Sequence, residues 1–336
     1  MKSYARPLVR FDLVRPAEAM PLAGGLGWFT HLEILSREAA PRIVAADTLP
    51  TDALRALTRP RQVLADRYAH GPALMGILNV TPDSFSDGGR HEVPAVAVAR
   101  AHQMVQDGAT IIDVGGESTR PGARSVPIDA EIARVEPVIA ALRHLVDLPI
   151  SIDTRKARVA QAAHLAGATL VNDVSGFTHD SALAPFCARE GLPVCVMHAN
   201  GDPETMQVDP RYDDVLLDVY DFLEAQILML REAGVPRDQI IVDPGIGFGK
   251  TMAHNLSLLN RLSLFHSLGC PVLLGASRKK FIGTLSGVPD AKSRLFGSVG
   301  VALAAAAQGV QILRVHDVPE TRQALDLWLA VQRGVA

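Results

Sequence analysis

Short runs of apolar residues recur along the chain from residue 74 onward, and polar segments containing glycine separate them. The apolar residues within each run are consecutive, which is typical of parallel β-strands that are buried on both faces. This pattern predicts eight strands, at residues 74–80, 110–115, 149–153, 168–173, 192–197, 239–245, 270–277 and 310–316.

The segments between these runs repeat their apolar residues with a period near 3.6, which predicts helices. Several of them end at a glycine, such as Gly108, Gly167 and Gly269, because glycine readily takes the left-handed conformation that ends a helix. Helices are predicted at residues 93–107, 129–145, 156–166, 181–189, 213–233, 254–268, 291–308 and 320–332, with a further short one at 279–285.

Strands that alternate with helices over residues 74–336 predict a (β/α)8 TIM barrel with an N-terminal extension. An open, doubly wound sheet is the structural alternative, although no GxGxxG motif follows the first strand as a dinucleotide-binding fold would require. Residues 1–73 form the extension, whose role the sequence does not reveal. A helix is predicted there at residues 52–64.

The overall charge excludes some classes of partner. Lys and Arg number 33 and Asp and Glu number 36, so the net charge is only -3. This balance argues against nucleic acid or a membrane surface as a partner held by bulk charge. In addition, no apolar run reaches the roughly 20 residues that span a bilayer. Cys187, Cys195 and Cys270 form no CxxC motif, so a disulfide framework and a structural zinc site are not expected, and we expect a cytoplasmic location.

Polar residues follow the predicted strands, at the end of a barrel where active sites lie. Taken singly, each has a plainer interpretation: Asp153 could cap a helix, Asn172 could form a turn, and His198 could be a hydrogen-bonded core histidine. A ring of polar groups needs partners, however, and therefore predicts a polar ligand. The residues at these ends include Asn79, Glu117, Asp153, Asn172, His198, Asp243, Ser277 and Arg314.

The chemistry of these side chains narrows the ligand. Asp153, Asn172 and Asp243 suit a heterocycle with adjacent donor nitrogens, whereas guanidinium, ammonium and imidazole groups suit a phosphate or carboxylate. The second set comprises Arg120, Lys279, Arg314 and His316, with Ser277 as a further donor.

The oxygen of Asn79 and the acidic segment at 80–92 suggest a Mg²⁺ site. No pair of a nucleophile and a base stands out. We therefore expect displacement at a substrate that carries a phosphate leaving group, with the protein positioning the reactants and stabilising charge.

Long stretches of the chain resemble the dihydropteroate synthase family. The resemblance covers residues 74–333, in order, and does not include residues 1–73. The motifs that carry it are MGILNVTPDSFSDGG (75–89), IIDVGGESTRPGA (111–123), SIDT (151–154), VND (171–173), VMH (196–198), PETMQ (203–207), DPGIGFGK (243–250), GASRKKFIG (275–283) and RVHDV (314–318).

The resemblance implies a transferase of folate synthesis that condenses 6-hydroxymethyl-7,8-dihydropterin diphosphate with 4-aminobenzoate and releases diphosphate and 7,8-dihydropteroate. It also implies Mg²⁺ as cofactor, inhibition by sulfonamides, and a homodimer formed through the later helices. The small residues Ala302 to Ala307 would allow close contact between two copies, or equally packing within one chain.

The same resemblance implies roles for individual residues. Pterin binding would involve Asp153, Asn172, Asp243, Lys279 and Arg314, and diphosphate binding His316 and Asn79, the latter with Mg²⁺. Met197 would contact substrate, and the aminobenzoate pocket would comprise Thr119, Arg120, Pro121, Phe248 and Ser277. Of these residues, the resemblance implies catalytic roles for Asp153, Lys279, Arg314, His316 and Arg120.

Segments 80–92 and 118–126 are expected to close over the reaction as lids. The sequence after His198 reads Ala199-Asn200-Gly201, where the family commonly has a turn that contains methionine.

Two other functions compete with this one. A methyltransferase acting on methyltetrahydrofolate would need no diphosphate site, and should lack the ESTRPGA and SRK elements that are present here. A non-catalytic pterin-binding protein should have lost one of Arg120, Lys279, Arg314 and His316, and all four are present.

Overall fold

The computed structural model describes residues 2–81, 93–118, 122–123, 125–202 and 204–334. The N-terminal extension begins with a small antiparallel sheet of order β1-β4-β5 and a two-stranded ribbon of β2 and β3. These strands are β1 (Tyr4–Pro7), β2 (Met20–Pro21), β3 (Trp28–Phe29), β4 (His31–Leu35) and β5 (Arg42–Ala45).

Eight parallel strands follow and form the barrel. They are β6 (Ala73–Asn79), β7 (Ile111–Gly115), β8 (Ile150–Asp153), β9 (Leu170–Asp173), β10 (Val194–Met197), β11 (Ile240–Asp243), β12 (Leu273–Leu274) and β13 (Ile312–Val315). The sheet runs in the order β11-β10-β9-β8-β7-β6-β13-β12. A parallel bridge between Val242 and Val272 joins its two edges. The sheet is therefore closed, which confirms the predicted barrel and excludes the open sheet.

Helices separate the barrel strands and cover the outside of the sheet. Among the described residues, none of the helices has the length and apolar character needed to cross a membrane. The helices of the chain are α1 (Thr51–Thr58), α2 (Ala65–Tyr68), α3 (Val93–Gln106), α4 (Ile128–Arg143), α5 (Ala157–Ala166), α6 (Leu183–Glu190), α7 (Val215–Glu232), α8 (Met252–Asn260), α9 (Lys280–Ser286), α10 (Leu295–Ala306) and α11 (Val318–Arg333).

Two predicted helices are wrong in extent. The helix expected at 52–64 ends at Thr58, and Arg59 is extended with ψ of 131°, because the residue before a proline (here Pro60) avoids the helical region. The helix expected at 254–268 ends at Asn260, and a 3-10 helix takes over at Leu262–Leu268. The strand expected at 270–277 has only two residues in the ladder, Leu273–Leu274.

The interior of the barrel changes from apolar to polar along its axis. Successive residues of a strand point to opposite faces, so every second residue lies inside. In β7 these are Ile111 and then Asp113, and in β13 they are Ile312 and then Arg314. The apolar layer lies toward the N-terminal ends of the strands and comprises Ala73, Met75, Ile111, Leu170, Cys195, Ile241, Leu273 and Ile312, packed with Val63.

The N-terminal extension closes the end of the barrel at which the strands begin. Val63 belongs to the interior apolar cluster, and the side chains of Leu64 and Tyr68 pack against it. At the outer wall, the Tyr4 ring meets the Tyr220 ring edge to face, with 5.2 Å between their centres. The extension therefore packs on both the base and the side of the barrel.

Candidate active site

Arg314 lies inside the barrel and pairs with carboxylates from two other strands. Its Nε donates to Asp113 Oδ2 at 2.6 Å, and its Nη2 donates to Asp153 Oδ2 at 2.7 Å. Burial by itself lowers the pKa of the guanidinium, but the Asp113 and Asp153 carboxylates raise it further than burial lowers it. Arg314 is therefore a fixed positive charge that holds two buried carboxylates in place.

Asp113 is a member of this site that the sequence reasoning missed. It is fully buried in β7, and the Asn172 amide lies 3.4 Å from its Oδ2. The signal was present in the sequence, since an aspartate interrupts the otherwise apolar run Ile111–Gly115. A charge in such a strand requires a partner inside the barrel, and Arg314 supplies it.

Asp153 ends β8 with one carboxylate oxygen unused. Its Oδ2 accepts the hydrogen bond from Arg314, whereas its Oδ1 is buried without a hydrogen-bond partner among the described residues. Burial raises the pKa of Asp153 to about 7, Arg314 opposes this shift, and the Asp113 charge adds to it. A buried acceptor without a partner is costly, so Oδ1 suits a donor group of a ligand.

Asp243 at the end of β11 lies inside the polar end of the barrel with Asp113, Asp153 and Arg314. We call these side chains the polar layer. Its Oδ1 accepts a hydrogen bond from the Gly245 amide at 2.7 Å, and burial raises the pKa of its carboxyl group, against the lowering effect of that amide. A methyl group at Gly275 would lie 3.7 Å from Asp243 Oδ2 and 3.8 Å from the Arg314 Cβ. The second oxygen of Asp243 and the Arg314 side chain thus face the same space.

Lys279 stands over the ring of Phe248, with its Nζ 3.9 Å from the ring centre. Burial lowers the pKa of Lys279 to about 7, although the Asp243 carboxylate opposes the shift. Gly247 has a φ of +84°, and a Cβ at that position would lie 2.9 Å from the Lys279 Cδ. Glycine at 247 is therefore what lets the lysine lie along this turn.

His316 and Ser277 lie together at the mouth of the barrel. The His316 Nδ1 and the Ser277 Oγ are 3.1 Å apart, and the His316 amide donates to the same oxygen at 3.3 Å. The neighbouring Arg278 points elsewhere, because its guanidinium pairs with Asp317. Ser277, Lys279 and His316 thus offer hydrogen-bond donors at this part of the barrel mouth.

Asn79 ends β6 beside Asp153. A Cβ at Gly115 would lie 3.6 Å from both the Asn79 Oδ1 and the Asp153 Cβ. Over the described ranges, no group of three or more His, Cys, Asp or Glu side chains could hold a metal ion. A single amide oxygen fits Mg²⁺ only if phosphate oxygens and waters supply its other ligands, which is how Mg²⁺ is commonly bound.

Several predicted residues lie outside the described residues. These are Thr119, Arg120 and Pro121, and most of the proposed lid at 80–92. The ends of the other proposed lid, 118–126, are nevertheless defined by contacts. The Glu117 carboxylate accepts hydrogen bonds from the Val126 amide and from Lys156 Nζ, both at 2.6 Å.

Lys156 is the centre of a buried ionic cluster beneath this loop. Its Nζ also contacts Glu131 Oε2 at 2.6 Å and donates to the Val126 carbonyl at 2.7 Å. Arg155 donates to the other oxygen of Glu117 at 3.1 Å. The sequence reasoning missed this cluster, because its members lie on three separate segments and only Glu117 and Arg155 follow a strand end closely.

His198 is buried, in agreement with the interpretation of a core histidine. Its Nδ1 lies 2.8 Å from Lys250 Nζ, and burial lowers the pKa of both side chains well below their ordinary values. Lys250 also donates to the Phe248 carbonyl at 3.0 Å, so the pair supports the turn that carries Phe248. The preceding Met197 ends β10 and is buried.

A cavity of about 250 Å³ opens beside the polar layer. Its lining includes Arg155, Ser175, His179, Asp202 and Phe248. Phe248 therefore borders both this cavity and Lys279, and links the polar layer of the barrel to an opening large enough for part of a small substrate.

Comparison with known proteins agrees with this geometry. The model of the pterin binding enzyme family matches residues 75–316. Dihydropteroate synthase of Escherichia coli (strain K12) is 48% identical over 254 residues, which cover 76% of this chain and 89% of that protein. The chain belongs to the dihydropteroate synthase family of pterin-binding enzymes.

Solved structures of this family share the fold. Dihydropteroate synthase of Xanthomonas albilineans with 4-aminobenzoic acid superposes with a TM-score of 0.74 and 45% identity, covering 78% of this chain and 94% of that one. Dihydropteroate synthase of Yersinia pestis in a sulfonamide drug complex gives a TM-score of 0.74 and 46% identity, with coverage of 78% and 94%. The family and fold predicted from the motifs are thus confirmed.

Proposed function

We propose that the chain is a dihydropteroate synthase. It would join 6-hydroxymethyl-7,8-dihydropterin diphosphate to 4-aminobenzoate and release diphosphate and 7,8-dihydropteroate in folate synthesis. The observation that carries this proposal is Asp153 Oδ1, which is buried without a partner among the described residues. Arg314 holds this carboxylate inside the polar end of a barrel of this family.

The polar layer would bind the pterin ring. Asp153 Oδ1 and Asp243 Oδ2 offer acceptors for ring N–H and amino groups, and the Asn172 amide offers both a donor and an acceptor. Lys279 would donate to the ring from above the Phe248 face, and Arg314 would stack on it. The Asp153, Asn172 and Asp243 side chains are buried, and hydrogen bonds in such an interior specify a heterocycle strongly.

The mouth of the barrel would hold the diphosphate. His316, Ser277 and Arg314 are the donors for its oxygens. Asn79 would hold Mg²⁺ together with diphosphate oxygens and water, and the ion would supply charge neutralisation for the leaving group. This metal role is supported by the oxygen donor at Asn79 and by its position beside Asp153.

The reaction is a displacement at the methylene carbon of the pterin. Its C–O bond to the diphosphate breaks, the oxygen keeps the bonding electrons, and the nitrogen of 4-aminobenzoate forms a C–N bond and then loses a proton. Positive charge that develops on the pterin would be stabilised by the Asp113, Asp153 and Asp243 carboxylates. The two loops at 80–92 and 118–126 would exclude water from this carbon.

The aminobenzoate would lie beside Phe248. The cation of Lys279 borders that region. We assign Met197 and Ser277, together with Thr119, Arg120 and Pro121 of the loop after β7, to the same pocket. Arg120 would then meet developing negative charge at the opening. A sulfonamide would compete with 4-aminobenzoate here, as suggested by the sulfonamide complex of the Yersinia pestis relative.

We propose a homodimer in a reducing, cytoplasmic environment. Phe296 of α10 is 87% exposed, and Leu327 and Val331 of α11 are also largely exposed, so the later helices offer apolar side chains to a second copy. The small residues Ala302, Ala305 and Ala306 are instead buried within the chain. The three cysteines are free and buried, which suits a reducing compartment.

The test is incubation of the purified chain with the pterin diphosphate, 4-aminobenzoate and Mg²⁺, with diphosphate and dihydropteroate measured together. Both products should appear in equal amounts, and chelation of Mg²⁺ should reduce both. A non-catalytic binding protein would bind the pterin without releasing diphosphate. A methyltransferase would instead consume methyltetrahydrofolate, and either result with folded protein would overturn the proposal.

A further inference from the structure

A second cavity lies at the opposite end of the barrel from the candidate active site. It has a volume of about 420 Å³ and lies between the segment after α1, the connection from α7 to β11, and the turn before β12. Its volume is in the range of pockets that hold small molecules. Four arginines line it: Arg59, Arg61, Arg231 and Arg237.

In the part of the chain that the structure describes, these arginines have no anionic partners. Within the described ranges, none of the four forms an ion pair, and the only carboxylate in the lining is that of Asp238. The hydrogen bonds of Arg61 go to the carbonyls of Arg59, Ala56 and His266, and that of Arg237 goes to the Leu268 carbonyl. Elsewhere in the chain, buried arginines such as Arg155 and Arg314 face carboxylates.

Arg61 is the buried arginine of this cavity. It is only 6% exposed, and its Nε is buried without a hydrogen-bond partner among the described residues. Burial lowers the pKa of Arg61 to about 10, and the charges of Arg59 and Arg237 act in the same direction. A buried cation surrounded by like charges is unfavourable until an anion arrives.

Gly269 makes room for a second guanidinium. It has a φ of +79°, and a Cβ there would lie 3.3 Å from the Arg237 Nη1. Arg59, Arg231 and Arg237 are exposed, so their remaining donors can reach a ligand in the cavity. Within the part of the chain that the structure describes, the lining contains no aromatic residue, which disfavours a nucleobase or another flat ring as the anchored group.

We propose that this arginine cavity is a second binding site, for a small multivalent oxyanion that carries phosphate or clustered carboxylate groups. Guanidinium groups bind both kinds of oxygen in paired hydrogen bonds. An anion here would bridge the N-terminal extension, through Arg59 and Arg61, to the barrel, through Arg231 and Arg237. The site is separate from the candidate active site and does not depend on the proposed reaction.

The experiment uses the full chain without Mg²⁺, with inorganic diphosphate as one probe and citrate as the other. Isothermal titration measures affinity, and hydrogen–deuterium exchange locates binding at residues 56–63 and 231–238. The test variant is Arg59→Gln with Arg231→Gln, because both side chains are exposed and their loss should not prevent folding. The control is Arg55→Gln, an exposed arginine of α1 outside the cavity.

We expect wild type and control to bind a probe and to show slower exchange at both segments. At this cavity the double variant should bind about a hundredfold more weakly, about tenfold for each guanidinium removed, and should lose that protection, while diphosphate binding at the mouth of the barrel and turnover are unchanged. Protection of both segments by diphosphate alone would assign phosphate ligands to the cavity, and protection by both probes would assign oxyanions generally. Equal protection in wild type and double variant, or none in wild type, would overturn the proposal.

Discussion

Arg314 Nη2 donates a hydrogen bond to Asp153 Oδ2 at 2.7 Å, and this contact crosses the interior of the barrel. Their strands, β13 and β8, are not neighbours, because β6 and β7 lie between them in the sheet. The contact occupies one carboxylate oxygen and leaves the other, Oδ1, without a protein partner among the described residues. It therefore orients the acceptor that we assign to the pterin.

Asp153→Asn should lower kcat/KM by at least about a hundredfold, since an amide cannot replace the charge of the carboxylate. It should also change how stability depends on pH. The pKa of Asp153 is raised from 3.8 to about 7, chiefly by burial, so its contribution to the free energy of unfolding is present below pH 4 and is lost as pH rises toward 7.

Relative to wild type, the Asp153→Asn variant should therefore gain stability between pH 4 and pH 7. Urea unfolding at several pH values measures this difference. A difference that stays constant over that range would contradict the burial of an ionisable Asp153.

Lys279→Met should lower turnover at least about tenfold through the loss of a donor to substrate. The pKa of Lys279 is lowered from 10.5 to about 7, first by burial. Its contribution to stability is present above pH 10.5 and is lost as pH falls through 7, so wild type should lose stability relative to the variant over that range. Lys280→Met, at the exposed neighbouring lysine, is the control and should change neither quantity.

Phe248→Leu should raise the KM for 4-aminobenzoate about tenfold and change kcat less, because the ring both borders the cavity and lies 3.9 Å from Lys279 Nζ. Steady-state kinetics with each substrate varied in turn measures the effect. Phe11→Leu, at a ring of the N-terminal extension that packs on Trp328 of α11, serves as control. A larger effect on the KM for the pterin diphosphate would contradict the assignment of Phe248 to the aminobenzoate pocket.

Lys156→Met should destabilise the chain by about 3–5 kcal/mol, because it leaves the buried carboxylates of Glu117 and Glu131 without their shared cation. Adding Glu131→Gln should restore part of the loss. Urea unfolding measures both, with Arg158→Met as the exposed control. If the single and double variants were equally unstable, the charge pairing would not be the cause.

Val63→Ala should lower the free energy of unfolding by about 1–3 kcal/mol, because this side chain of the extension packs inside the apolar end of the barrel. Val14→Ala, at a valine that is 85% exposed, should have almost no effect. Thermal or urea unfolding of the full chain makes the comparison. Similar stability of the two variants would mean that the extension contributes nothing to the barrel through this contact.

The sequence by itself determined the order of strands and helices, because consecutive apolar residues and a helical period are local properties of the chain. It also determined several helix ends, as at Gly108 and Gly167. Both residues have a positive φ, which glycine adopts without the steric cost that other residues incur. The motifs at the strand ends were sufficient to recognise the family and to name Asp153 and Lys279.

The tertiary structure alone decided which side chains meet. The pairing of Arg314 with Asp113 depends on closure of the sheet, and Lys156 reaches Glu117 and Glu131 from different segments. Likewise, Arg61 faces its cavity only because the extension folds under the barrel. Such contacts join residues that are far apart in the chain, so a local sequence pattern cannot predict them. Strand register and packing set the distances between these side chains.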